Sequence, residues 1–128
     1  MTAPARPSVL VVDDHPDAGD STAELLRLHG YEARVARCGA DALALAESFP
    51  PGVVILDLGL PDLDGFELAR RLVAALACRP LLVALTGYNH FEEQARQAGF
   101  DHHFLKPVDP AVLARIVGAW AAGARPAG

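Results

Sequence analysis

The stretch Val53-Val54-Ile55-Leu56-Asp57-Leu58-Gly59-Leu60-Pro61-Asp62-Leu63-Asp64-Gly65 decides how the rest of the chain is read. Its opening run, VVIL, is aliphatic throughout, whereas a strand with one solvated face would alternate apolar and polar residues; it therefore reads as a strand buried on both faces. The run stops at a carboxylate, and Pro61, Asp62, Asp64 and Gly65 then supply turn and capping chemistry. Beyond Asp64, a good N-cap, the apolar residues Leu68, Ala69, Leu72 and Leu76 return at three- and four-residue spacing, as on the buried face of a helix. Strand, loop and helix in this order make one βα unit.

The unit repeats in both directions. Strands are expected at Ser8–Val12, Glu32–Ala36, Val53–Leu56, Leu81–Leu85 and His103–Leu105. Helices are expected from Pro16 to His29, where Gly30 supplies the left-handed residue that ends a helix, and from Ala40 to Ser48, stopped by Pro50-Pro51. The third follows Asp64, the fourth runs from Phe91 to Ala98 before Gly99, and the fifth runs from Pro110 to Trp120 behind Asp109. That last helix carries Leu113, Ile116, Val117 and Trp120 as its apolar stripe. Parallel strands joined by right-handed helical crossovers give a doubly wound α/β domain, whose crevice lies outside the carboxyl ends of the strands. The expected organisation is a single domain over residues 1–128, with a core over about 7–120 and residues 121–128 as a tail or linker stub.

Composition narrows the function. With 128 residues and 52% hydrophobic content the chain can bury one core, and its net charge of -5 argues against a basic face for nucleic acid. No stretch approaches the roughly 20 apolar residues of a membrane span, and MTAPARPS lacks the apolar core of a signal peptide, so a cytoplasmic location is expected. Cys38 and Cys78 form no CxxC pair and are expected as reduced thiols without a role.

The strand ends carry the chemistry. Asp13-Asp14 follow the first strand, Asp57 the third, Thr86-Gly87 the fourth and Lys106-Pro107 the fifth, so all four groups converge on one crevice. Three carboxylates held together repel one another unless a cation neutralises them, and a hard divalent cation such as Mg²⁺, with Mn²⁺ as a substitute, resolves the conflict. An aspartate can act as a nucleophile toward phosphorus, and phosphoryl transfer otherwise needs positioning and charge stabilisation. Asp57 would attack in line, Thr86 would donate a hydroxyl to one phosphoryl oxygen, and Lys106 would pair with another. Lys106 is the only lysine beside ten arginines, which sets it apart as a point charge chosen for its place.

Each residue has a plainer reading. Asp13-Asp14 alone could cap a helix, Asp57 alone could start a turn, Thr86-Gly87 is ordinary turn chemistry, and a lone lysine is usually solvated. Their convergence is what favours chemistry. Asp62 and Asp64 are accounted for by turn formation and capping. His102 and His103, adjacent on a strand, face opposite sides and do not suggest a shared metal ion.

The segments VLVVDDHPD, VVILDLGLPDLDGFELARRL, VALTGY and GFDHHFLKPVDP resemble the receiver domains of two-component response regulators across almost the whole length, and the LTGY and GFDHHFLKPVD pieces are most similar to receivers of hybrid histidine kinases. The resemblance implies a flavodoxin-like three-layer sandwich with parallel strand order 2-1-3-4-5. It implies Asp57 as phosphoacceptor, Asp14 as a direct metal ligand, Asp13 acting partly through water, and the Gly59 backbone carbonyl as a further ligand. Thr86 and His103 stand at the switch positions, and Lys106-Pro107 stands where the peptide bond is typically cis. The implied phosphodonor is a sensor histidine kinase or a histidine phosphotransfer protein. The implied downstream contact is a protein meeting helix four, strand five and helix five, with the domain a monomer or weak homodimer. This sequence departs from many relatives at Gly59, where a longer side chain influences hydrolysis, and at His103, where an aromatic ring is usual.

Other classes fit less well. An aspartate-nucleophile phosphatase would carry its nucleophile after the first strand in a DxD arrangement, and a flavin mononucleotide site would set phosphate against Asp13-Asp14. A receiver-like module that is never phosphorylated would not need the intact acceptor set.

Overall fold

A computed structural model of the chain describes residues 8–87 and 92–122. Its elements alternate throughout: β1 (Ser8–Val12), α1 (Pro16–Leu28), β2 (Glu32–Ala36), α2 (Gly39–Ser48), β3 (Val53–Asp57), α3 (Gly65–Ala75), β4 (Leu81–Thr86), α4 (Glu92–Gln97), β5 (His102–Leu105) and α5 (Pro110–Ala121). The strands form one parallel sheet in the order β2-β1-β3-β4-β5.

Strand alternation sorts the core into two layers. Leu10, Val12, Val54, Leu56, Leu82 and Ala84 face one side of the sheet and pack with Ala42, Leu68, Leu72 and Ala95 of α2, α3 and α4. Val9, Val11, Ile55, Val83 and Leu85 face the other and pack with Leu26 of α1 and Leu113 and Val117 of α5. Every residue of β3 and β4 is buried, as their uninterrupted apolar sequences require. At the sheet edge, β5 is half-buried or exposed along its whole length.

The element boundaries differ from the sequence expectation by a residue or so, for local reasons. Asp57 and Thr86 belong to their strands because the ladder continues through them, Asp57 pairing with Leu85 and Thr86 with Leu105. β5 starts at His102, opposite Val83. α2 opens at Gly39, and Leu76 is the half-buried C-cap of α3 rather than part of its buried face. Gly30 and Gly99 both close helices with positive φ, near 90° and 92°. Asp64 caps α3 by accepting from the Phe66 amide, and Asp109 caps α5 by accepting from the Ala111 amide. α5 continues through Ala121, so the first residue assigned to a tail is helical. The expected start of the fourth helix at Phe91, and residues 1–7 and 123–128, lie outside the described residues.

Candidate functional site

The carboxyl ends of β1, β3, β4 and β5 bring Asp13, Asp14, Asp57, Thr86 and Lys106 to one edge of the sheet. One carboxylate oxygen from each of Asp13, Asp14 and Asp57 lies within 4.8 Å of the other two. Asp13 and Asp57 are buried, at 3% and 7% exposure, whereas Asp14 is open to solvent.

Both oxygens of the Asp57 carboxylate are held. Oδ1 accepts from the Gly59 backbone amide at 2.9 Å, and Oδ2 accepts from Lys106 Nζ at 3.1 Å. Asp13 Oδ1 accepts from the His15 amide at 2.9 Å, and its Oδ2 shares the same ammonium at 3.3 Å. Lys106 therefore bridges two buried carboxylates, and its own backbone amide donates to the Thr86 carbonyl at 2.7 Å. Its bond to Pro107 is cis.

The electrostatics follow from this crowding. Burial raises the Asp13 carboxyl above the ordinary carboxylate range, opposed by the His15 amide and by Lys106, while the charge of Asp57 pushes it further up. For Lys106 burial works against the charged form, but the bond to Asp57 and the charges of Asp57 and Asp13 outweigh it and raise its pKa. One ammonium facing three carboxylates leaves a net negative pocket. Such a pocket suits a divalent cation with hard oxygen ligands.

Thr86 is 2% exposed at the end of β4. Gly87 follows it, and no atom of the described residues lies within 4 Å of where a Cβ would stand. His103 lies opposite Ala84 on β5, and Thr86 lies opposite Leu105; in parallel register this puts Thr86 and His103 on the same face of the sheet. His103 is half-buried, and its Nε2 is buried with no hydrogen-bond partner among the described residues. His102 takes the other face and stacks on Phe104 with ring centroids 6.3 Å apart. The one group of metal-capable side chains among the described residues is the aspartate trio. Cys38 and Cys78 are free.

Two features of the site were not legible from local sequence. The His15 amide that braces Asp13 belongs to the N-cap of α1, and a backbone donor leaves no residue signature. Asp62 does not serve its own turn alone: its carboxylate accepts from the Gly39 and Ala40 amides, at 2.8 and 3.1 Å, and so caps α2 from a loop elsewhere in the chain. Capping accounts for both carboxylates as expected, Asp64 at the helix that follows it and Asp62 at the distant start of α2. Beside Asp13 and Lys106 a cleft of about 370 Å³ opens between α1 and α5, lined also by Thr22, Leu85, Val108 and Leu113.

Comparison with known proteins agrees with this arrangement. Residues 9–118 match the family model of the response regulator receiver domain. An uncharacterized 14.6 kDa protein of Leptolyngbya boryana is 37% identical over 120 residues, covering 91% of this chain and 92% of that protein. The transcriptional regulatory protein KdpE of Mycobacterium tuberculosis is 37% identical over 99 residues, 77% of this chain but 44% of that protein, so the chain matches less than half of that regulator. The crystal structure of a CheY-like response regulator receiver domain protein from Methanospirillum hungatei superimposes with a TM-score of 0.83 at 28% identity, covering 92% of this chain and 95% of that one. With the strand order, the acidic trio and the bridging lysine all in place, the chain belongs to the response regulator receiver domain family of two-component signalling.

Proposed function

We propose that Asp57 is the phosphoacceptor and that Asp13, Asp14, Asp57 and the Gly59 carbonyl hold a Mg²⁺ ion beside it. The observation that carries this reading is the Asp57 carboxylate itself, fixed at one oxygen by an amide and at the other by Lys106, within reach of two further carboxylates. The donor set fits the ion: hard oxygens, excess negative charge, and a glycine that adds no side chain at position 59. Asp13 already has both oxygens engaged and Asp14 is exposed, which favours Asp14 as the direct ligand and Asp13 as one that acts partly through water. When bound, the ion supplies positive charge against a phosphoryl oxygen.

The protein groups do the rest. A lone pair of an Asp57 carboxylate oxygen forms the O–P bond as the P–N bond of a phosphohistidine breaks, and the departing imidazole nitrogen keeps the bonding electrons. Lys106 then has a phosphoryl oxygen to pair with in place of Asp57 Oδ2, and the Thr86 hydroxyl donates to another. The donor is a sensor histidine kinase or a histidine phosphotransfer protein, met in the cytoplasm, and the domain acts by changed protein contacts rather than by steady turnover. Movement of Thr86 reaches the α4-β5-α5 face through His103, whose Nε2, without a partner among the described residues, can take a new polar contact.

Incubation with acetyl phosphate and Mg²⁺ should add one phosphoryl group, visible by intact mass. Asp57→Asn or chelation of the metal should abolish it. An undiminished adduct in either case would sink the assignment, and continuous hydrolysis of an external phosphomonoester would identify an enzyme instead.

A further inference from the structure

We infer that Asp62 is a positioning residue: by clamping the β3–α3 loop to the start of α2 it fixes the Gly59 backbone, and with it the cation site beside Asp57. The inference rests on the reading of that site as a divalent-cation site. α2 begins without a cap of its own, because the N-cap residue Cys38 makes no side-chain cap bond. The missing acceptor comes from Asp62, to which the Gly39 and Ala40 amides donate at 2.8 and 3.1 Å. These two amide bonds, led by that from Gly39, hold the exposed Asp62 carboxyl below its ordinary range.

A cap for α2 could have been built locally by Ser, Asp or Asn at position 38. Instead the carboxylate stands on the loop that carries Gly59. That loop is pressed close at both ends. A Cβ on Gly39 would come within 2.8 Å of Leu63 Cβ, and a Cβ on Gly65 within 2.7 Å of Leu58 Cα. Leu58 and Leu63 both pack on the core layer beneath. A side-chain ligand can adjust by changing rotamer, but a carbonyl ligand can move only with its backbone. The Gly59 carbonyl therefore depends on whatever anchors its loop, and between Gly59 and the α3 cap the only polar anchor among the described residues is Asp62.

The test uses the full chain and Mg²⁺ alone, with the dissociation constant read from the backbone amide signals of Asp57 and Gly59, alongside the rate of acetyl phosphate labelling at limiting and saturating Mg²⁺. Asp62→Ala should weaken Mg²⁺ binding roughly tenfold, the scale at which supporting groups act on metal sites. Its labelling rate should fall at limiting metal and recover at saturation. Asp62→Asn, which keeps one acceptor oxygen, should fall between. Ala44→Gly, on the exposed face of α2, weakens the same helix without touching the clamp and should leave Mg²⁺ affinity unchanged. An Asp62→Ala affinity within twofold of wild type, or an equal loss in Ala44→Gly, overturns the inference. If Asp62→Ala does not fold, Asp62→Asn decides alone, and an unchanged affinity overturns it. Loss of the Mg²⁺ response in Asp14→Ala but not in Asp62→Ala would reject the clamp and keep the site, whereas a wild-type chain that ignores Mg²⁺ would reject both.

Discussion

The chain leaves β3 and β5 in different ways, although both exits contribute a charged group to the same crevice. After β3 the backbone is held at every step: Gly59 bonds Asp57, Asp62 caps α2, Asp64 caps α3, and Gly65 packs against Leu58. After β5 Asp109 caps α5 just as Asp64 caps α3, and the difference lies in the strand itself. Lys106 is tied by its ammonium and its amide, but the strand before it is an edge strand, none of it fully buried, with a His103 ring nitrogen that has no partner among the described residues. The difference suits a switch. Chemistry at Asp57 needs a rigid frame, since misplacement of about 1 Å can cost two orders of magnitude in rate, whereas a readout needs an element with two arrangements of similar energy.

The tightness of the β3 exit is tested most forcefully by comparing a glycine there with one after β4. Gly65→Ala places a Cβ 2.7 Å from the Leu58 Cα, a backbone contact that cannot rotate away. The expected cost is about 1–3 kcal/mol of stability, with loss of acetyl phosphate labelling as Leu58 and Gly59 are displaced. Gly87→Ala meets nothing within 4 Å among the described residues, and its stability should stay within about 0.5 kcal/mol of wild type. Denaturant titration of the two variants checks the pair. Equal effects would mean that the β3 exit is no more tightly built than the β4 exit.

Sequence carried the fold well because the deciding signals are local. VVIL and LLVAL announce strands buried on both faces, Gly30 and Gly99 end helices, and Asp64 and Asp109 cap the helices that follow them. The site was legible to the same extent, as residue types at strand ends. What sequence could not show depends on contacts between distant segments. Asp13 and Asp14 are adjacent and chemically identical, yet one is buried against Lys106 and the other faces water. Asp62 reads as a turn residue because its partners lie 22 and 23 positions earlier. Whether His103 is exposed or enclosed depends on how β5 sits at the sheet edge, and no periodicity in a four-residue strand reports that.

A smaller effect sharpens the comparison at Asp13, which links the two exits through Lys106. Burial raises the Asp13 carboxyl in the folded state, so the fold binds this proton more tightly than the unfolded chain does. The stability that protonation contributes is full below the unfolded value, near 3.9, and is lost as pH rises through the higher folded value. Above the folded value the group is a buried anion that works against folding, even with Lys106 beside it. Asp13→Asn should therefore raise the melting temperature by a few degrees at pH 7 without added metal, and the gain should vanish under acid conditions. Mg²⁺ should stabilise wild type more than the variant, since only wild type keeps the full carboxylate set. A melting temperature lowered equally at all pH values would show that Asp13 is a structural tie instead.

The smallest effect tests the loose side directly. The His103 Nε2 is buried without a hydrogen-bond partner among the described residues, and an unsatisfied buried polar atom costs about 1–3 kcal/mol, toward the low end where the residue itself is half-buried. His103→Phe keeps a flat ring at the same place and removes the orphaned atom, so the unphosphorylated domain should gain about 1 kcal/mol in denaturant titration. That gain comes at the expense of the switch. If the imidazole follows the Thr86 hydroxyl toward phosphorylated Asp57, its nitrogen finds in that state the partner it lacks here, and the energy recovered biases β5 and its neighbours toward the second arrangement. Phenylalanine can pack into the same space but cannot recover that bond. Beryllofluoride, which mimics the phosphoryl group, should therefore shift the His103 ring signals together with those of Asp57 and Thr86 in wild type. In His103→Phe the shifts along β5 and α5 should shrink while those at Asp57 persist. If the His103 ring stays unmoved while Thr86 responds, the orphaned nitrogen is a static defect of an edge strand, and the signal leaves the crevice by another route.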